Sequence, residues 1–141
     1  MYETVLIPVD GSDESLAAAT EAVDLAASEG TIHALAVIEE LPMHRRSGKA
    51  EKFDQGGDGR TEAEDATAAV ADRAASVGID CEQTVLEGVP SREICSYAEE
   101  IDAEAIVIGK RGASESAGEI LGSTTERILK KAPATVVAVP T

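Results

Sequence analysis

The sequence predicts an α/β fold, a parallel sheet with helices on both faces, and three observations carry it. Short apolar runs alternate with stretches of helical periodicity in the order β-α-β-α-β-α-β-α-β. The runs are apolar along most of their length, as in strands covered on both faces. Glycines and capping residues fall at the joins. With 141 residues the chain makes a single domain, 1–141, large enough to bury a core without staples.

Each element has its own signal. Residues 3–9, ETVLIPV, read as a buried strand, and Pro8 limits ladder pairing near its end. Asp10-Gly11-Ser12-Asp13 breaks that run; Ser12 is a good N-cap, and Asp13 and Glu14 suit the positive end of a helix. Leu16, Ala19, Val23 and Ala26 follow at helical spacing, and Gly30 is the expected stop. Residues 31–38, TIHALAVI, form the second strand. Thr61 opens the next helix, with Glu64 completing a capping box. Ala63, Ala66, Val70, Ala74 and Val77 are its apolar stripe, and Gly78 ends it. Residues 79–86 partly alternate through Ile79, Cys81 and Val85, as an edge strand would. Pro90-Ser91 caps a short helix carrying Ile94, Ala98 and Ile101. Residues 105–108, AIVI, are the fourth strand. Residues 123–131 are the last helix, with Arg127, Lys130 and Lys131 near its negative end. Residues 135–139, TVVAV, are the fifth strand. The crossovers are expected to be right-handed.

Composition narrows the function. Val, Leu, Ile and Phe number 31 and Ala adds 24, so the core is built of small residues. The net charge is −15, the reverse of the basic footprint that a nucleic-acid binder or a protein of anionic membrane surfaces needs. No apolar run is long enough to span a bilayer, and no secretory signal opens the chain, so a cytoplasmic location is expected. There is no Asn and only 5 Lys, a composition expected of a salt-rich cytoplasm where ions screen self-repulsion. Cys81 and Cys95 lie in no CxxC or His/Cys cluster and read as reduced thiols. Residues 39–60 hold four glycines and five of the twelve Lys/Arg, with no apolar periodicity. They read as a mobile, solvated loop, or alternatively as a lid that orders over a ligand.

The chemistry concentrates after the fourth strand. Gly109-Lys110-Arg111-Gly112 is followed by nine residues and then by Gly122-Ser123-Thr124, which opens a helix. Glycines let backbone approach a phosphate, a helix N-terminus offers free N–H groups, the hydroxyls add donors, and Lys110 and Arg111 add cations. In an open α/β sheet, ligands bind beyond the carboxyl ends of strands where the winding reverses. If the first and fourth strands are neighbours, Asp10 and Gly109 flank that crevice. A P-loop is absent, and so is a GxGxxG after the first strand, which disfavours ordinary kinases, GTPases and dehydrogenases.

The spacing Gly109-x2-Gly112-x9-Gly122-Ser123, with the opening Leu6-Ile7-Pro8-Val9-Asp10-Gly11-Ser12, resembles the universal stress protein family over nearly the whole chain. The resemblance implies a five-stranded parallel sheet in the order 3-2-1-4-5, an adenine nucleotide alpha-hydrolase-like sandwich. It implies an ATP-binding regulatory protein of the stress response. Pro8, Val9 and Asp10 would lie against adenine and ribose, and Val37 would meet the adenine edge. Gly109, Gly112, Gly122, Ser123 and Thr124 would cradle ribose and phosphates beside Lys110 and Arg111. Mg²⁺ or Mn²⁺ would bridge the phosphates. A homodimer would form through the last strand, and a protein partner would read the nucleotide state.

The nine-residue loop departs from the family pattern by carrying Glu115 and Glu119. At about 4 Å and a surface-like dielectric, each would oppose a triphosphate by about 4 kcal/mol. AMP or ADP is therefore an alternative to ATP, and a dimeric interaction module without nucleotide is the alternative function. An adenylylating enzyme is disfavoured, since His33 lies in a strand and His44 in the long loop, and no general base for more than slow hydrolysis is evident. No histidine or thiol pair is spaced as a metal site. His33 is expected to be a satisfied core contact or to face a polar side.

Overall fold

A computed structural model describes residues 2–10, 13–39, 59–109 and 123–139. The elements run β1 (Tyr2–Val9), α1 (Asp13–Leu25), β2 (Ala26–Glu39), α2 (Arg60–Ala75), β3 (Asp80–Gly88), α3 (Pro90–Glu100), β4 (Ala105–Gly109), α4 (Ser123–Lys131) and β5 (Thr135–Val139). The five strands form one sheet in the order β3-β2-β1-β4-β5, and every neighbouring pair is parallel. The predicted order and the assignment of the third strand to an edge both hold.

Successive side chains of a strand point to opposite faces, so a strand apolar at every position serves two cores. Val5, Ile7, Val9, Ile32, Ala34, Ala36 and Val107 pack on one face against Ala18, Ala19 and Ala22 of α1 and Ala63, Val70 and Ala74 of α2. Leu6, Leu35, Val37, Ile106 and Ile108 pack on the other against Ile94 and Ala98 of α3 and Ile128 of α4. The alanines of α1 and α2 bring those helix backbones close to the sheet, which is how a chain poor in large apolar residues still fills its core.

Three local expectations are corrected. The first helix ends at Leu25 rather than at Gly30, and β2 begins at Ala26. Ala26 pairs with Tyr2 while Thr31 pairs with Thr4, so β2 bulges between these points. Sheet pairing beside Tyr2 supplies the backbone hydrogen bonds there and overrides the helical spacing, although Ala26 is still buried. The second helix starts without a capping box: its N-cap is Gly59 at φ 84, the Ala63 N–H donates to the Gly59 carbonyl, and Thr61 lies exposed inside the first turn. A glycine accepts the positive φ that Thr cannot take without strain. The third helix has Val89 as N-cap and Pro90 as its first residue, where a missing N–H costs nothing, and Ser91 makes no cap bond. Ser12, the expected cap of α1, lies outside the described residues, as do residues 40–58, most of the stretch read as a loop or lid.

The stop at Gly78 is as expected. The Ile79 N–H donates to the Ala74 carbonyl and the Gly78 N–H to that of Ala75, a Schellman motif with Gly78 left-handed at φ 77.

Candidate functional site

The site follows from where the sheet stops pairing. β1 pairs with β2 as far as Val9↔Ala36, and β4 pairs with β5 as far as Gly109↔Val139. β1 and β4, however, pair only at Val5↔Ala105 and Leu6↔Ile106. The two central strands therefore part over their last three residues, at the point where the order reverses from β1-β2-β3 to β4-β5. Pro8 sits in that stretch. A proline is normally excluded from a central strand because it lacks a ladder donor; here it stands where one of its neighbours has already drawn away.

Most described site candidates gather around this opening. Pro8 is half-buried, Val9 is buried, and Asp10 follows at the strand end, half-buried and engaged in a polar or charge contact of its own. Val37, one residue past the partner of Val9, is buried on the α3–α4 face with Ile108 and Ile128. Gly109 ends β4, and Ser123 and Thr124 open α4. The first turn of α4 is held directly to the end of β4, where the Thr125 hydroxyl donates to the Gly109 carbonyl at 3.0 Å. Lys110, Arg111, Gly112, Gly122, Glu115 and Glu119 lie outside the described residues.

Thr125 is the residue that sequence reading missed. It is buried, at 6% exposure, and takes its place through the helix period: it lies three residues before the buried Ile128, so both face inward. Helical side chains lean toward the N-terminus, which carries its hydroxyl back to β4. The signal was a third hydroxyl in Ser123-Thr124-Thr125, on the apolar stripe rather than at the cap.

Arg60 of α2 and Glu87 of β3 form an ion pair at 3.4 Å, both about half exposed, which is weakly stabilising at best. Among the described residues no group of His, Cys, Asp or Glu is arranged to hold a metal ion. His33 lies four residues before Val37, inside β2. It is a buried core contact: its Nδ1 is 3.4 Å from the Tyr97 hydroxyl, which is 3.1 Å from Thr84 Oγ1. Burial pushes the imidazole below its ordinary range, against the opposing pull of Glu82. Cys81 and Cys95 are free thiols that burial pushes up, so neither is a ready nucleophile. An open groove of about 440 Å³ between α1 and α2 is lined by Ala19, Thr20, Ala69, Asp72, Arg73 and Ser76, and by none of the strand-end residues.

The sequence pattern of the universal stress protein family matches residues 1–140. The chain belongs to the universal stress protein family. A universal stress protein of Methanocaldococcus jannaschii is 32% identical, the alignment covering 99% of this chain and 82% of that protein. The universal stress protein UspA of Lactobacillus plantarum is similar in structure, with a TM-score of 0.79, 26% identity, and coverage of 98% and 97% of the two chains. A universal stress protein solved in complex with cAMP has a TM-score of 0.73 and 26% identity, with 99% and 97% covered. Among the described residues of this member, no helix is long and apolar enough to cross a membrane.

Proposed function

We propose that this chain is an adenine-nucleotide-binding regulatory protein of the stress response that works as a dimer. The observation that carries the reading is the parting of β1 and β4, with the end of β4 tied to the first turn of α4 beside it. Ligands of open α/β sheets bind at such a reversal, beyond the carboxyl ends of the strands. The related protein that holds cAMP supports an adenine ligand.

In this reading Pro8, Val9 and Asp10 contact adenine and ribose, and Val37 lines the adenine edge. Gly109, Lys110, Arg111, Gly112, Gly122, Ser123 and Thr124 hold ribose and phosphates. ATP is the first candidate. Glu115 and Glu119 favour AMP or ADP unless a bridging Mg²⁺ or Mn²⁺ offsets their charge. Bound nucleotide sets the shape of the surrounding loops, residues 39–60 among them, for a partner protein to read, and hydrolysis, where it occurs, is slow. The dimer forms through β5, an edge strand of Thr, Val and Ala with no charge to protect it. The whole single-domain chain works in a salt-rich cytoplasm, to which its acid excess is suited.

The test is to purify the protein in concentrated KCl without added nucleotide, denature it, and identify released small molecules by mass spectrometry. Stoichiometric ATP, ADP or AMP is expected, and Gly122→Asp is expected to abolish it without changing the oligomeric state. No released nucleotide, together with no thermal shift on adding millimolar ATP and Mg²⁺, overturns the reading and leaves a nucleotide-free interaction module.

A further inference from the structure

We infer that Thr125 is a positioning residue of the nucleotide site, acting through the Gly109 carbonyl rather than by touching the ligand; the inference rests on the adenine-nucleotide reading above. Gly109 and Thr125 are 16 residues apart in the chain, and the hydrogen bond between them joins the last residue of β4 to the first turn of α4. It thus holds the end of β4 against the start of α4, on the side where β1 has drawn away from β4.

Two physical consequences follow. A carbonyl oxygen at the mouth of an anion site is a liability, since its partial negative charge opposes phosphate; the Thr125 hydroxyl engages that oxygen from the α4 side. A peptide unit is also planar and trans, so a bond that fixes the Gly109 carbonyl fixes the plane of the peptide leaving Gly109. Glycine is the residue whose backbone most needs such a constraint, because it has no side chain to limit its own conformations. The bond is well placed to persist. Thr125 is nearly inaccessible, and Ile128, one turn further along α4, is locked into the core beneath α3. An ordered scaffold lowers the conformational entropy that ligand binding must overcome.

The comparison residue is Thr67. Its hydroxyl is also buried, on α2, and bonds the Glu64 carbonyl at 3.0 Å and Gln83 Oε1 at 3.2 Å, with no bond to β4 or α4. Losing it removes a similar hydrogen bond without touching the site.

The experiment measures binding of AMP and of ATP with Mg²⁺ by titration calorimetry, on nucleotide-stripped wild type and on Thr125→Val, Thr125→Ser and Thr67→Val, together with each Tm. Thr125→Val keeps the shape and loses the donor. It is expected to weaken nucleotide about fivefold to tenfold, the effect of one buried hydrogen bond. Thr125→Ser, which keeps the hydroxyl, is expected to return affinity to within about twofold. Thr67→Val is expected to lower Tm and leave affinity unchanged, because its lost bond lies elsewhere. If wild type binds and Thr125→Val binds equally well, the positioning role is overturned and the nucleotide reading stands. If Thr125→Val and Thr67→Val lose affinity alike, the effect is general softening and the positioning role is again overturned. If wild type binds neither nucleotide, both readings fail together.

Discussion

His33 shows how a single buried residue ties this protein to pH. Its imidazole is 9% exposed, between the sheet and Tyr97 of α3, with the Glu82 carboxylate of β3 facing it. Burial favours the neutral ring, so its pKa in the folded state lies below the unfolded value of about 6.5. The unfolded chain then binds the proton more readily. This contribution to stability is complete above pH 6.5 and is lost as pH falls from there toward the folded pKa. Urea unfolding between pH 7.5 and 5 is expected to show falling stability, with a flatter profile for His33→Gln; parallel profiles would deny His33 the role. Two other residues test the backbone. Gly78 is left-handed with open space around its missing side chain, so Gly78→Ala meets strain and no clash. A loss of about 1 kcal/mol is expected in the same assay. Asp102 plays the same part after α3, at φ 53, with the Ala103 N–H donating to the Ala98 carbonyl. Asp102→Gly is expected to change stability by about 0.5 kcal/mol or less, because relief of strain is offset by a more flexible unfolded chain.

At the scale of elements, the alanine faces of α1 and α2 are the most sensitive feature. Ala18 and Ala22 are fully buried in the core that α1 shares with β1 and β2. Ala22→Leu forces α1 away from the sheet and is expected to cost about 1–3 kcal/mol by overpacking, read as a lower denaturant midpoint at unchanged slope. Much of the element pattern was legible in the sequence, because apolar runs and helical stripes are local signals. The misreadings came where tertiary contacts decide. Ala26 and Gly30 match a helix ending by their spacing, yet both lie in β2, where Tyr2 offers Ala26 a pairing partner. Thr61 and Glu64 match a capping box, yet Gly59 carries the cap because only its backbone reaches that turn without strain.

At the scale of the molecule, charge and sheet edges set behaviour. With a net charge of −15, self-repulsion opposes the compact state, and salt screens it over a Debye length that shrinks from about 10 Å at 0.1 M to about 3 Å at 1 M. Raising KCl from 0.1 to 2 M is expected to raise Tm by several degrees, and a flat response would count against salt adaptation. β5 closes one end of the sheet with Val136, Val137 and Ala138 half-buried. The dimer proposed through β5 predicts a two-chain mass in light scattering behind size exclusion, which Val137→Lys, by putting a charge on that strand, is expected to reduce to that of one chain.

The sequence by itself determined the α/β class, the element order, the family and most residues now found at the strand ends. These depend on periodicity, on turn residues and on a spaced glycine motif, all readable along one chain. The tertiary structure alone decided that β1 and β4 separate after Leu6 and Ile106, and that Thr125 closes onto Gly109. Both are relations between segments far apart in sequence. A strand's composition does not say where its neighbour leaves it, and a threonine's identity does not say which carbonyl it will reach.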